Sequence, residues 1–152
     1  MRVRAVAVVF DHGELLVIAR EKFGQRYLVL PGGGVEMGES TQEACLRELQ
    51  EETGLEGEIL GRLAVDSGTD HEAVYFAVAV QSRDVRLGGP EAERAGPNNR
   101  YEPRWVHPDD AAELVPSAAR RAARAGERLA RGHGRLGRIL ADPEISTRHA
   151  LV

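Results

Sequence analysis

The chain has 152 residues and 42% hydrophobic content, enough to bury one core and too short for two ordinary domains, so a single domain spanning the chain is expected. No apolar run approaches the roughly 18 residues needed to cross a bilayer, and Met1-Arg2-Val3-Arg4 leads into a short β-like run rather than a secretion signal. The lone Cys45 excludes an intramolecular disulfide, so a cytoplasmic protein free of the membrane is expected.

Residues 3–10 alternate and then run apolar, Asp11-His12-Gly13 interrupts them, and residues 14–20 resume with Leu15-Leu16-Val17-Ile18. Two strands joined as a hairpin are expected. Residues 27–30 form another short strand that feeds Pro31-Gly32-Gly33-Gly34. That segment reads as a turn where backbone can approach a ligand with no Cβ in the way. Arg20, at the end of the strand leading toward it, is placed either to meet a phosphate or to be an ordinary surface arginine.

A helix is expected over residues 40–53. Ser40 followed three residues later by Glu43 forms a capping box, and Gly54 supplies a left-handed stop. At roughly 100° per residue, Cys45, Leu46, Leu49 and Thr53 share one side, while Glu48, Glu51 and Glu52 gather on the adjoining side. Glutamates three and four residues apart repel by a few tenths of a kcal/mol per pair, roughly, unless something offsets their charge. A divalent cation would do so: Mg²⁺ takes hard oxygen ligands, commonly a few carboxylates plus the oxygens of a substrate phosphate. Arg47, one turn from Glu43 and Glu51, is placed to fix a carboxylate by a bidentate pair. Cys45 reads as a packed thiol.

Residues 59–65 and 73–80 read as strands, the second nearly all apolar and therefore central. Residues 101–106 form the last strand, and Pro108-Asp109-Asp110 opens a helix through Leu114. Between them residues 81–100 are long, polar and turn-rich, a stretch suited to choosing a substrate. Glu91, Glu93 and Glu102 are candidates for one more carboxylate at a metal site, with solvated surface acids as the ordinary reading. Tyr101 and Trp105 can stack on a base or, more simply, belong to the sheet and core. Residues 116–138 carry seven arginines and one glutamate, a net of +6 against −10 for the rest of the chain. As a helix this segment places Arg120, Arg124, Arg128 and Arg131 on one stripe, opposite Ala118, Ala122, Ala125 and Leu129. An RNA-binding surface is one reading. The favoured one packs the alanine side on the acidic domain or on a second subunit, with the arginines facing water. Strands around one strongly marked helix, with helices following, suit an α/β fold: a mixed sheet sandwiched between helices.

Residues 33–55 carry a longer pattern: Gly33, five residues, Glu39, seven residues, then Arg47-Glu48-Leu49, any residue, Glu51-Glu52, any residue, Gly54-Leu55. In this the chain resembles the Nudix hydrolase family, whose signature is matched at every fixed position. The resemblance implies an α/β/α sandwich and Mg²⁺-dependent hydrolysis, with Mn²⁺ as the alternative ion, of a phosphoanhydride in a nucleoside diphosphate derivative. It implies Glu51 and Glu52 as principal metal ligands and Glu48 as a further ligand or the general base. Glu39 would be a support or additional ligand, Arg47 would orient a glutamate, and the Gly32 or Gly33 carbonyl would join the coordination sphere. Arg20, Gly33, Gly34 and Tyr101 are the candidate substrate contacts. The expected partner is a small nucleotide, with a homodimer possible and nucleic acid the less favoured ligand. A catalytically idle nucleotide or RNA sensor on the same fold is the competing class, against which the intact set of four glutamates argues.

Overall fold

The computed structural model describes residues 3–65, 72–86, 96 and 99–135, with side chains through 132. In chain order the elements are β1 (Arg4–Val8), β2 (Phe10–Asp11), β3 (Glu14–Lys22), β4 (Gln25–Val29), β5 (Gly32–Gly34), α1 (Thr41–Thr53), β6 (Gly57–Leu63), β7 (Ala73–Val80), β8 (Asn99–Val106), a 3₁₀ turn (Pro108–Glu113) and α2 (Ser117–Arg135). One sheet runs β5-β1-β7-β6 and is mixed, since β1 and β7 are parallel and the other pairs antiparallel. In the second sheet β3 pairs antiparallel with β2, β4 and β8.

Alternation along the strands distributes the core. Val6 and Val8 of β1, with Tyr75 and Ala77 of β7, face Ala118, Ala119, Ala122 and Ala123 of α2. Ala5, Ala7, Phe76 and Val78 face the other way, onto Ala44, Cys45 and Leu49 of α1. Both central strands are thus buried on both faces, which is why they read as nearly continuous apolar runs. Cys45 is the packed thiol expected, fully buried, and burial pushes its pKa up to about 12. On α2, Gly126 lies so close to β1 that a Cβ there would overlap Val8 Cγ1. The alanine face of α2 is packed as expected, and of the arginine stripe Arg124, Arg128 and Arg131 are exposed while Arg120 is half-buried.

Three expectations change. The hairpin is confined to β2 and β3, with Phe10 opposite Leu15 and Asp11 opposite Glu14, while β1 belongs to the other sheet. The chain changes sheets at Val9, whose carbonyl accepts from the Leu16 N–H at 2.9 Å, because a strand buried on both faces needs a helix layer on each side. The glycine segment is a strand, not a turn: Gly32, Gly33 and Gly34 pair with Val6, Ala5 and Arg4, and none of the three has positive φ. The helix expected from Pro108 is a 3₁₀ turn capped by the His107 ring, which accepts from the Asp109 N–H at 3.1 Å; its six residues are too few to sustain an α-helix. Among the described residues, no helix is long and apolar enough to cross a membrane.

Candidate active site

The capping box sets the start of α1. The Glu43 N–H donates to Ser40 Oγ and the Ser40 N–H donates to Glu43 Oε1, both at 3.0 Å. Gly54, at φ 78°, ends the helix, its N–H donating to the Gln50 carbonyl at 2.8 Å. Between these stops the apolar side is drawn into the core, which turns Glu48, Glu51 and Glu52 toward β5. Glu48 and Glu52 are buried, at 9% and 7% exposure, and Glu51 is half-buried. The Gly32 N–H points at Glu52 Oε2 across a long 3.4 Å.

Arg47 wires these acids together. Its Nε donates to Glu39 Oε2 at 2.7 Å and its Nη2 to Glu39 Oε1 at 3.0 Å, a bidentate pair. Nη1 donates to Glu48 Oε1 at 3.0 Å and Glu51 Oε2 at 3.3 Å, and Nη2 reaches the Gly34 carbonyl at 3.0 Å. The bidentate partner is therefore Glu39 from the loop before the helix. Glu43, placed next to Arg47 by helical spacing alone, is engaged in the cap instead. The Arg47 hydrogen bonds, together with the Glu36 N–H, hold the Glu39 carboxyl down at about 2.

The glycines matter here for the volume they leave. A Cβ on Gly33 would stand 2.7 Å from Glu48 Oε2 and closer still to the rest of that carboxylate, and one on Gly32 would stand 2.8 Å from the Val6 Cα. The close approach expected at this segment is real, and its first occupant is a glutamate of α1.

These groups line a cleft of about 410 Å³, bordered also by Arg4, Arg20, Glu36 and Tyr101. A larger hollow of about 670 Å³, beyond the C-terminus of α1, contains no part of the Arg47 network. Arg20 and Tyr101 are neighbours across β3 and β8, with the guanidinium carbon 4.1 Å from the ring centroid. Glu102 is excluded from the cluster: it sits opposite Ala19, one residue out of phase with Tyr101, and pairs with Arg104 at 2.7 Å on the outer face. Glu91 and Glu93 lie outside the described residues. Trp105 takes its core role, with Nε1 donating to the Arg83 carbonyl at 3.1 Å. Sequence reasoning missed Arg4 and Asn99. The period-two pattern of β1 could have shown that Arg4 shares a face with Val6 and Val8; Asn99 carried no local signal.

Hard oxygen donors on Glu48, Glu51 and Glu52, beside a backbone free of Cβ atoms, fit Mg²⁺ or Mn²⁺ by donor chemistry. Among the described residues no three acidic, His or Cys side chains converge as a finished cation cage, and Arg47 Nη1 stands between Glu48 and Glu51. An ion bound there would compete with that guanidinium for the same oxygens.

The chain is similar to known proteins in sequence and in fold. The ADP-ribose pyrophosphatase of Methanocaldococcus jannaschii is 33% identical over 97 residues, covering 59% of this chain and 57% of its own length. Nudix hydrolase 4 of Arabidopsis thaliana is 37% identical over 66% of this chain and 46% of its own, so the chain spans about half the length of these relatives. The RNA pyrophosphohydrolase of Erythrobacter litoralis is 27% identical over 74% of this chain and 80% of its own. Among solved structures, an ADP-ribose pyrophosphatase from Streptococcus suis superposes with a TM-score of 0.65 at 15% identity, covering 86% of this chain and 92% of that one. A NUDIX family hydrolase from Clostridium perfringens gives 0.63 at 14% identity, over 84% and 97%. The profile of the NUDIX domain matches residues 1–129, and the chain belongs to that family.

Proposed function

We propose that this chain is a divalent-metal-dependent pyrophosphohydrolase that cleaves a phosphoanhydride in a nucleoside diphosphate derivative. The observation that carries this reading is the array of Glu48, Glu51 and Glu52, wired by Arg47 to Glu39 and set against β5 in a cleft that also carries Arg20. The pyrophosphatase names of relatives from two kingdoms of substrate, ADP-ribose and RNA, support the reaction class.

In this reading Glu51 and Glu52 are the principal ligands of Mg²⁺ or Mn²⁺, with Glu48 a further ligand or the base and the Gly32 carbonyl an additional donor. The ion supplies Lewis-acid neutralisation of the diphosphate. One glutamate of the array accepts the proton of the attacking water. Arg47 keeps Glu48 and Glu51 in fixed rotamers through its anchor on Glu39, so the acids are oriented before substrate arrives. Gly33 and Gly34 leave the cleft wall low enough for phosphate oxygens to approach, and Arg20 and Tyr101 contact the substrate from the facing sheet.

The test is hydrolysis of a panel containing nucleoside triphosphates, nucleoside diphosphate sugars, ADP-ribose, dinucleoside polyphosphates and 5′-triphosphorylated or capped RNA, with Mg²⁺ or Mn²⁺ and product identification. Glu52→Gln keeps the shape and removes the charge, and activity should fall on the order of 10²-fold or more. Mg²⁺ should raise the melting temperature of the parent more than that of the variant. Full activity in Glu52→Gln, or parent hydrolysis persisting in excess chelator, would overturn the assignment.

A further inference from the structure

Three arginines line the cleft, and they differ in what holds them. Arg47 has every side-chain nitrogen engaged by carboxylates and the Gly34 carbonyl. Arg4 is exposed and reaches the Gly32 carbonyl at 3.5 Å. Arg20 is half-buried and makes no ion pair among the described residues, and its fully buried Nε has no hydrogen-bond partner there. A cation partly withdrawn from water, with most of its five donors unused, is costly unless an anion meets it.

The surroundings of Arg20 are built to hold it there without an acid. The antiparallel registers set Tyr27, Arg20 and Tyr101 side by side across β4, β3 and β8. The guanidinium carbon lies 4.1 Å from the Tyr101 centroid and 5.6 Å from that of Tyr27, positions where ring faces attract a cation. Arg20 Nη2 donates to Asn99 Oδ1 at 3.1 Å, and Asn99 Nδ2 in turn donates to the Tyr101 hydroxyl at 3.3 Å. Aromatic faces and a neutral amide orient the fork while leaving its charge uncompensated. A glutamate in place of Asn99 would orient it equally well and cancel that charge. An oriented planar fork with free donors suits a phosphate.

We propose that Arg20 is the anion-binding subsite of the cleft, taking a phosphate of the substrate from the sheet side, with Asn99, Tyr101 and Tyr27 as its positioning residues. This deepens the hydrolase reading and rests on it for the identity of the substrate. It gives Tyr101 a role other than base stacking, since one face of its ring is covered by the guanidinium. It also assigns the phosphate to the one cleft arginine that is both oriented and free of an acidic partner.

The test is calorimetric titration of the full chain in excess chelator, with AMP as probe and adenosine and inorganic phosphate as comparison ligands. Arg20→Gln should weaken AMP binding on the order of 10- to 100-fold, the usual worth of charge-assisted hydrogen bonds. Arg20→Lys should weaken it less, because the charge stays and the fork is lost, and Asn99→Ala should weaken it severalfold with the arginine intact. Inorganic phosphate should follow AMP across these variants, whereas adenosine should bind all of them alike. AMP affinity unchanged in a folded Arg20→Gln, or no AMP binding by the parent at millimolar concentration, would overturn the proposal. If Arg20→Gln fails to fold, Arg20→Lys and Asn99→Ala decide, and parental affinity in both overturns it. Glu52→Gln separates the two readings. Parent hydrolysis that Glu52→Gln abolishes, together with undiminished AMP affinity in Arg20→Gln, removes only the Arg20 subsite. An Arg20-dependent AMP site in a protein that hydrolyses nothing on the panel supports the subsite and removes the hydrolase reading.

Discussion

Gly33 and Glu48 occupy a space that admits only one side chain. A Cβ on Gly33 would stand 2.7 Å from Glu48 Oε2, well inside contact distance, although Gly33 has no positive φ and its backbone is open to any residue. Its glycine character is therefore a matter of volume, and the volume belongs to a carboxylate of the proposed metal site.

Gly33→Ala should leave the chain folded and push Glu48 off its place against Arg47. A displacement of about 1 Å at a catalytic group can cost on the order of 10²-fold in rate, and kcat should carry the loss. Steady-state kinetics beside a melting curve checks this. Parental kcat in Gly33→Ala would show that the Glu48 position is not critical.

Glu39 offers a pH signature. Its folded pKa, about 2, lies below the ordinary glutamate value of 4.5 because Arg47 hydrogen-bonds the charged form. A depressed folded value means that the unfolded chain binds the extra proton first, so the stability this group contributes is fully present above the unfolded pKa. It is lost as pH falls from about 4.5 toward about 2. Glu39→Gln should flatten the acid limb of stability in that window and leave the slope above pH 6, roughly, unchanged. Denaturant melts across the acid range are the measurement, and an identical slope in parent and variant would count against the Glu39–Arg47 pair.

The arginine stripe of α2 should behave as a solvated face. Its opposite side is packed through Ala118, Ala119, Ala122 and Ala123, and Arg124 and Arg128 are exposed. Arg124→Glu combined with Arg128→Glu should leave stability close to the parent and the substrate ranking unaltered. RNA affinity should be weak at physiological salt and vanish as salt rises. Submicromolar RNA binding that this double substitution abolishes in a folded protein would make the stripe a nucleic-acid surface.

The parts legible in the sequence are those set by local chemistry. Ser40, Glu43 and Gly54 specify where α1 starts and stops through bonds spanning at most four residues, so its limits needed no tertiary information. The apolar run of β7 declared a strand buried on both faces, and the alanine side of α2 declared a packing face, because burial leaves a periodic trace. The spacing of Glu39, Arg47, Glu48, Glu51 and Glu52 carried the family resemblance that the domain profile bears out.

What depended on the tertiary structure was every relationship between distant segments. Strand signals say that a segment will pair and not with what, so β1 left its apparent hairpin to pair with β5 and β7, and a glycine run that resembled a turn became an edge strand. Helical spacing offered Arg47 a partner in Glu43, but that carboxylate was already in the cap, and the loop delivered Glu39 instead. Arg20, Tyr27, Asn99 and Tyr101 are 81 positions apart at their extremes, and only the registers of β3 with β4 and β8 place them in one cleft wall. Sequence alone supplied the candidate reactive groups; chain pairing decided which of them meet, because contact between remote segments is chosen by the burial of whole sheets and not by any local pattern.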